Sequence, residues 1–282
     1  MLLILGSLAA IGGGIDAAEL AAVPNAEFDQ GEAAPANWRL DGAGRWVDRQ
    51  WLEVTGNGDD SSYWRCDGYA FQPGRTYRFE TRLRRVSGSG MAITGPNFAN
   101  RDHTGLSSDW QWVGHAFRVP DRCDGAFLRL GQWHATGAIQ FDQVRVNPAV
   151  PVHRAGGDVV LGEGETIRDG QYTFAGSFAH EGSNYHRTLR SASAWFNSDR
   201  WLFGAGSEVV YEFGLPQHDF LTARVEVNVN YHTSGRCAVE ISRDGQTWLP
   251  LAAQGSVGAA AAEVPAELLP ASRLLLRLRS GD

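Results

Sequence analysis

The first half of the chain places flat aromatic side chains next to polar side chains that form directional hydrogen bonds. A pyranose ring has an apolar face of C–H groups and an edge of hydroxyl groups. Stacking on an aromatic ring, combined with hydrogen bonds at its rim, is the chemistry that such a set can perform. The aromatic members are Trp46, Trp51, Tyr63, Trp64, Trp110, Trp112 and Trp133, and the polar residues near them in sequence are Arg65, Asn97, Asp102, His103, Gln132 and His134.

Only some of these aromatic residues can contact a ligand, because others must fill a core. Tyr63 and Trp64 are adjacent, so in a strand they point to opposite faces. Trp133 lies where a strand ends or a loop begins. We predict a ligand platform, and the alternative is that two of its three tryptophans are buried. The predicted platform is Trp64, Trp112 and Trp133, with Tyr63, Arg65, Gln132 and His134 as further carbohydrate contacts.

The motifs of common catalytic sites are missing from the sequence. It contains no H-E-x-x-H, no G-x-S-x-G, no Walker-type loop and no C-x-x-C. Two dense polar and aromatic clusters, at residues 184–187 and 199–201, could line a site, although such clusters are more often loops with satisfied hydrogen bonds. We predict no catalytic residue. Whether the chain is an enzyme stays open, with a non-catalytic role favoured.

The charged residues argue against nucleic-acid binding. The formal net charge is −7, and every fixed cation is an arginine because the chain has no lysine. The densest basic run, Arg82, Arg84 and Arg85, lies within a strand-like segment. Affinity for nucleic acid depends on clustered positive charge, so we expect no nucleic-acid partner.

The N-terminus is similar to the apolar part of a secretory signal. Residues 1–11 are mostly apolar and small residues follow, which favours cleavage after Ala17 or Ala22, although a basic n-region is missing. The run is shorter than the roughly 20 apolar residues of a usual membrane span. Export permits a disulfide, and Cys66 with Cys123 is the pair inside the first half. The sequence does not decide whether that disulfide forms, and it offers no partner for Cys237.

Strand-like runs separated by turn signals recur along the whole chain. In the second half, residues 223–231 alternate with their valines on one face, and residues 237–242 and 246–251 form a hairpin across an Asp-Gly turn. Residues 259–262 are expected to form a loop or a loose edge. We predict an all-β fold with two antiparallel β-sandwich (jelly-roll) domains in tandem. The runs in the first half are residues 51–54, 62–71, 76–85, 111–119, 127–130 and 139–146.

A stretch punctuated by proline and glycine, residues 148–157, is interpreted as a linker. It follows a signal-like segment at residues 1–22 and a first domain at residues 23–147. The second domain takes up residues 158–282. Its last residues form a strand-like run and then a turn, a pattern that leads into another strand. We therefore expect this domain to be truncated at the C-terminus.

Four motifs follow one another in the first domain. They are Asn25-Ala26-Glu27-Phe28 with Gly31 and Trp38, Pro73 to Phe79, Trp110 with Phe117 to Pro120, and Gly137 to Val144. In this order they resemble the galactose-binding-like jelly-roll modules, and among them the family 4/9/22 group of carbohydrate-binding modules. The first motif departs from the family in having its acidic residue before the Phe. The resemblance implies that Trp38, Trp51 and Trp110 are core aromatic residues.

The resemblance also implies one cofactor. Modules of this type often hold a structural Ca²⁺ where the first and last strands meet, and hard oxygen ligands suit that ion. The matching residues are Glu27 and Asp142, with Asn25 as a further candidate. In the second domain, Val239 to Trp248 resembles the V-x-x-S-x-D-G-x-x-W hairpin of discoidin-type domains. That short match leaves the binding role of the second domain open.

Together these features predict non-catalytic binding of a polysaccharide or other glycan by an exported multi-domain protein, secreted or at the cell surface. Two alternatives stay open. The chain could be an accessory part of a secreted glycoside hydrolase or lyase whose catalytic domain lies beyond residue 282, or a structural spacer of a cell-surface protein. Exposed aromatic residues favour binding, facing carboxylates in a deep pocket favour an enzyme, and neither favours a spacer. The sequence does not determine the sugar or the oligomeric state.

Overall fold

The computed structural model describes residues 22–176, 178 and 184–281. The predicted signal-like segment lies outside the described residues except for Ala22, and it stays a prediction. The fold is all-β, with two antiparallel β-sandwiches in tandem, as the alternating runs predict. Within the described ranges, the only helical element is a 3-10 turn at Ala266–Leu268. No helix in that part of the chain has the length and hydropathy that crossing a membrane would need.

The first sandwich contains a strand much longer than the sequence predicts. Where separate strands are expected at residues 127–130 and 139–146, one strand of 21 residues runs through both. The glycines between them do not end the strand, because Gly131 lies under the Tyr63 side chain and Gly137, with a φ of 79°, lies close against the Ser87 backbone. The strands are β1 (Arg39–Asp41), β2 (Gly44–Val47), β3 (Trp51–Asn57), β4 (Ser61–Cys66), β5 (Thr76–Arg85), β6 (Ser89–Pro96), β7 (Ala99–His103), β8 (Gln111–Arg118) and β9 (Leu128–Pro148).

Strand β9 belongs to two sheets. Residues 128–136 pair with β4 and β6 and give the order β1-β4-β9-β6-β7, which we call the front sheet. Residues 136–148 pair with β3 and β5 and give the order β2-β3-β9-β5-β8, the back sheet. The two sheets pack face to face, so each has one face in the core and one face toward solvent.

The strand period of two decides which side chains fill the core between these sheets. In β5, the apolar side chains of Tyr77, Phe79 and Leu83 are buried together with Thr81, whereas the residues that alternate with these four are not. Burial of each such side chain stabilises the fold by roughly 1.5–3 kcal/mol. The other sheet strands contribute Leu52, Val54, Trp64, Phe117, Leu128, Leu130 and Phe141, and the segment before β1 contributes Phe28 and Trp38.

The second sandwich pairs a five-stranded sheet, β14-β17-β22-β19-β20, with a two-stranded sheet, β18-β21. The predicted hairpin is confirmed as β19 and β20. Residues 259–262, predicted as a loop or a loose edge, lie in a strand that pairs with residues 224–229 in a two-stranded sheet, so the edge alternative is confirmed and the loop is wrong. The strands are β10 (Arg154–Gly156), β11 (Val159–Leu161), β12 (Glu165–Arg168), β13 (Gln171–Phe174), β14 (Leu189–Ala192), β15 (Trp195–Asn197), β16 (Arg200–Leu202), β17 (Glu208–Gly214), β18 (Arg224–Val229), β19 (Arg236–Ser242), β20 (Leu249–Gln254), β21 (Gly258–Glu263) and β22 (Arg273–Gly281).

The two halves of the chain are joined by more than the connecting segment. Strand β15 pairs in parallel with β7, so β15 and β16 extend the front sheet. The Phe196 side chain packs into the core of the first sandwich. The Arg118 guanidinium donates hydrogen bonds to the carbonyl oxygens of Leu189 and Arg190. Part of the predicted linker forms β10, which pairs with β11, and the domain boundaries themselves stay a prediction.

All three cysteines are free thiols. Cys66 is buried in the first core, whereas Cys123 is only partly buried. Burial raises the pKa of the Cys66 thiol, which keeps it protonated. Cys66 and Cys123 thus form no disulfide with each other in this structure.

Candidate functional site

The three tryptophans of the predicted platform do not come together. Trp64 is 4% exposed, and its indole N–H donates to the Glu53 carbonyl oxygen at 3.0 Å. It points inward because it shares its parity along β4 with the buried Ser62 and Cys66. The prediction that Trp64 contacts a ligand is wrong. Trp112 and Trp133 are exposed, but Trp112 lies on the back sheet and Trp133 on the front sheet.

Gln132 is also unavailable to a ligand, so its predicted role is wrong. It is 1% exposed and lies on the inward face of β9. Its amide nitrogen donates to an Asp60 carboxylate oxygen at 3.1 Å, and its amide oxygen accepts the Ala135 N–H at 2.8 Å. These bonds hold the segment that carries Trp133 and His134, so Gln132 positions the site without contacting a ligand.

The solvent side of the front sheet brings Tyr63 and Trp133 together. Trp133 is 49% exposed and lies opposite Ser61 in the β4–β9 ladder, while Tyr63 lies opposite Gly131. The two side chains are therefore diagonal neighbours on one face, which are about 7–8 Å apart in an antiparallel pair. A Cβ on Gly131 would come within 2.4 Å of the Tyr63 Cβ, so the absence of a side chain there lets Tyr63 lie close to the sheet.

Cation–π contacts fix the tyrosine end of this face. The Tyr63 ring stacks on Phe127 with a centroid distance of 6.2 Å and an interplanar angle of 13°. The Arg65 guanidinium lies 3.7 Å from the Phe127 centroid, and the Arg129 guanidinium lies 5.0 Å from the Tyr63 centroid. Such contacts contribute about 0.5–2 kcal/mol each. We call this surface, formed by Tyr63, Arg65, Phe127, Arg129 and Trp133, the front face.

The other end of the front face carries His134. Its backbone has a φ of 50°, which turns the ring back toward Trp133. The two ring centroids are 4.6 Å apart with an interplanar angle of 34°. His134 is exposed, so its imidazole can donate or accept a hydrogen bond beside the indole.

Positive and negative charges alternate across the front face. Arg65 forms an ion pair with Asp67 and lies 3.7 Å from Asp41. Burial lowers the pKa of the Arg129 guanidinium, and Asp102 partly offsets that effect. Burial raises the pKa of the Asp102 carboxyl, against a hydrogen bond with Ser198 and the charge of Arg200. Two residues of the second half of the chain, Ser198 and Arg200, thus influence the pKa of the Asp102 carboxyl.

The residues proposed for calcium are already engaged with protein partners. The Asn25 side chain donates to the carbonyls of Gln30 and Ala36 and accepts the Gln30 N–H. An Asp142 oxygen accepts a hydrogen bond from Arg82 at 2.9 Å. Glu27 is exposed, and no group of three or more acidic, histidine or cysteine side chains in the described residues could hold a metal ion. The donor set does not fit calcium as placed, and calcium binding stays a prediction for a test.

The solvent side of the back sheet carries a second aromatic surface. Trp38 is buried as predicted, but Trp51 and Trp110 are only partly buried, so the prediction that they are core residues is wrong. Neither belongs to the hydrophobic core of the first sandwich: Trp51 alternates with the buried Leu52 in β3, and Trp110 lies directly before β8, two residues from the exposed Trp112. Their rings are 5.9 Å apart at an angle of 50°. We call this surface, formed by Trp51, Arg82, Arg84, Trp110, Trp112, Gln140 and Arg145, the back face.

The two polar clusters of the second half have different settings: Asn184 of the first cluster bonds across to the first sandwich, and residues 199–201 of the second line a cavity. The Asn184 side chain bonds to both the N–H and the carbonyl of Arg118. The Trp201 indole N–H donates to the Tyr211 hydroxyl at 2.8 Å. A cavity of about 1770 Å³ lies between the sheets of the second sandwich, lined by apolar side chains of β18 and β22. The lining also includes the acidic residues Asp169, Asp199, Asp219, Glu226 and Glu263.

Comparison with known proteins gives similarity to solved structures. No family model matches the chain, and no curated protein matches it. A structure described as "CBM4 structure and function" is 18% identical over 45% of this chain and 99% of that chain, with a TM-score of 0.35. The tandem CBM22-1–CBM22-2 domain of Paenibacillus barcinonensis Xyn10C is 14% identical over 92% of this chain and 89% of that chain, with a TM-score of 0.33. The N-terminal cellulose-binding domain of Cellulomonas fimi β-1,4-glucanase C is 16% identical over 46% of this chain and 99% of that chain, with a TM-score of 0.31.

Proposed function

We propose that the chain binds an uncharged polysaccharide along the front face, with Trp133 and Tyr63 stacking against sugar rings. The observation that carries this proposal is the position of an exposed indole and a tyrosine ring as diagonal neighbours on one sheet face. Each ring offers an apolar surface for the C–H face of a pyranose. The four sequence motifs that resemble carbohydrate-binding modules support the same function.

The charge balance of the front face favours an uncharged ligand. Two of the arginines near the rings form ion pairs with aspartates and a third lies in the field of one, so the face offers both hydrogen-bond donors and acceptors and its charges largely offset one another. Sugar hydroxyls donate and accept, and both kinds of partner are therefore useful to them. Arg39 and Arg65 pair with Asp41 and Asp67, and the negative charge of Asp102 acts on Arg129.

The front face is preorganised. Stacking on Phe127 holds the Tyr63 ring, and the buried Gln132 holds the segment that carries Trp133. A side chain fixed before binding loses less conformational entropy when the ligand arrives, which raises affinity without a new contact. A weak site of this kind serves to keep a larger assembly on an insoluble or polymeric substrate, where several sites act together.

In this proposal the protein is exported and non-catalytic. The apolar run at residues 1–11 supports export, because it matches the apolar part of a secretory signal. The lack of catalytic motifs supports a binding role. An accessory role beside a glycoside hydrolase or lyase domain is compatible with the same front face.

The test is affinity electrophoresis of the full chain in gels that contain neutral polysaccharides, with β-glucan, xylan and mannan as the probes. We expect one of them to retard the protein and W133A and Y63A to weaken that binding at least tenfold, which corresponds to about 1.4 kcal/mol. W112A is the matched control, because Trp112 has similar exposure on the back face. Equal melting temperatures of the variants exclude a folding defect.

Two outcomes contradict the proposal. One is that none of the neutral polysaccharides retards the wild-type protein. The other is that W112A loses as much affinity as W133A, because that result would mean general adhesion by exposed indoles and not a site on the front face.

A further inference from the structure

The back face holds a ladder of indoles and guanidiniums that the proposed function does not use. The Arg84 guanidinium lies 4.5 Å from the Trp110 centroid and 5.4 Å from the Trp51 centroid. The Arg145 guanidinium lies 4.2 Å from the Trp112 centroid. These residues come from four strands or strand ends, so the ladder runs across the sheet and not along one strand.

Buried polar side chains support this ladder from below. The Arg45 guanidinium pairs with Glu53 at 2.7 Å, and the other Glu53 oxygen accepts the Gln140 amide N–H at 2.7 Å. Glu53 and Gln140 are both buried. Because the Gln140 nitrogen is used by Glu53, its oxygen faces Arg84 and accepts two hydrogen bonds, at 3.0 and 2.8 Å. The orientation of the Arg84 fork is thus fixed by a chain of bonds that begins three strands away.

Two of the arginines on this face have neutral and not acidic partners among the described residues. Arg82 pairs with Asp142 at 2.9 Å, and Arg78 pairs with Glu80 at 3.0 Å. In the part of the chain that the structure describes, Arg84 bonds to the neutral Gln140, and Arg145 bonds to the neutral Gln143 at 3.4 Å. The back face therefore carries an excess of positive charge, although the whole chain is acidic.

We propose that the back face is a second carbohydrate site, specific for sugars that bear a carboxylate, such as hexuronate units. Trp112 is 44% exposed and gives the pyranose an apolar surface. A guanidinium offers parallel N–H groups that match the two oxygens of a carboxylate. Arg145 is exposed beside Trp112, and Arg84, whose Nε and Nη2 bond to Gln140, lies beside Trp110.

The back face differs from the front face in its charge balance, and charge is the property that would select the ligand. The front face pairs Arg39 and Arg65 with aspartates, whereas in the described residues Arg84 and Arg145 of the back face bond to neutral amides. A carboxylate supplies the missing charge, and its ion pair with an exposed guanidinium weakens with salt because the Debye length falls to about 8 Å at 0.15 M ionic strength. The two faces lie on opposite sides of one sandwich, so they can be occupied together.

The test is titration calorimetry of the full chain with oligogalacturonate. Its methyl ester, which has the same sugar backbone but an uncharged ester in place of each carboxylate, is the comparison ligand. We expect oligogalacturonate to bind, the methyl ester to bind at least tenfold more weakly, and binding to decrease with added salt. W112A and R145M are each expected to weaken binding about tenfold or more. R145K, which keeps the charge but not the fork, is expected to fall between R145M and wild type.

The control variant is W133A, which removes an indole of similar exposure on the front face and is expected to bind oligogalacturonate as wild type does. Retained binding of neutral polysaccharide by W112A and R145M shows that these variants are folded and separates this site from the front face. The inference is overturned if oligogalacturonate does not bind, if its methyl ester binds equally well, or if W133A loses as much as W112A. If the wild-type protein binds oligogalacturonate but no neutral polysaccharide, only the front-face proposal is overturned.

Discussion

A buried histidine makes the stability of the first sandwich depend on pH. His115 points into the core from β8, with the Phe79 and Phe117 ring centroids 5.9 and 5.7 Å from its own. Its Nε2 lies 2.7 Å from the Ala99 carbonyl oxygen and donates to it, while Nδ1 has no hydrogen-bond partner among the described residues. Protonation at Nδ1 would create a charge in an apolar setting. Burial therefore lowers the pKa of His115 from 6.5 to about 4.

The direction and size of the effect follow from proton linkage. Between pH 6.5 and 4 the unfolded chain binds a proton at residue 115 and the native chain does not, so stability rises with pH across this window. It is fully present above pH 6.5 and is lost as pH falls toward 4. From pH 7 to 4.5 the loss attributable to this one group is about 2 kcal/mol.

The assay is urea unfolding followed by tryptophan fluorescence at pH 7 and 4.5, for wild type and H115Q. H115Q keeps an N–H donor for Ala99 and removes the titration. It is expected to lose about 2 kcal/mol less stability than wild type between the two pH values. H134Q, which changes an exposed imidazole, is the control and is expected to keep the wild-type difference. Equal pH dependence of H115Q and wild type would refute the reasoning.

Two further predictions concern the calcium residues and a buried carboxylate. Chelation with EDTA is expected to leave the melting temperature unchanged, because Asn25 and Asp142 already bond to protein groups; a lower melting temperature after chelation, restored by Ca²⁺, would contradict the structure and support the prediction from the resemblance. Replacing Arg187 by Met is expected to cost roughly 3–5 kcal/mol in urea unfolding, because it leaves the fully buried Glu165 carboxylate without its cation. R190M, which breaks the exposed pair with Glu212, is the matched control and is expected to cost at most about 1 kcal/mol; similar losses in the two variants would contradict the role of burial.

The alternating strands could be predicted from the sequence because a sheet with one buried face imposes a period of two. Strand β5 shows this, since its apolar residues all point inward. The course of β9 could not be predicted in the same way. Gly131 and Gly137 are typical of strand ends, and only the side chain lying over Gly131 and the close backbone approach of Ser87 to Gly137 explain why the strand continues through both. Both causes are contacts with residues that are distant in sequence, so the sequence around each glycine does not show them.

The orientation of the tryptophans could have been predicted better. Arg65 shares the parity of Tyr63 in β4, and an arginine on one face of a half-buried strand indicates the solvent side. That places Trp64 in the core. The same reasoning places Trp51 outside, because it shares parity with Glu53. The family resemblance pointed the other way for Trp51 and Trp110, and the charge pattern of this chain was the better guide.

The distance between Trp112 and Trp133 could not be predicted from either strand alone. Each is exposed because its neighbours in the strand leave it on the solvent side, but the sheet to which a strand belongs depends on its pairing partners. Strand β8 pairs with β5, and the Trp133 end of β9 pairs with β4 and β6. Two exposed indoles that look alike in sequence therefore belong to different surfaces.

The second sandwich matters to the front face even though it carries none of the stacking residues. Pairing of β15 with β7 covers what would be an open edge of the front sheet. The Phe196 side chain fills the first core, and the Ser198 hydroxyl accepts the Asp102 N–H at 2.8 Å. A fragment cut at residue 147 would expose that edge and leave a gap in the core, so a loss of binding in it would have two causes. The binding tests therefore distinguish the two faces only when they are made on the full chain, with Trp112 and Trp133 as mutual controls.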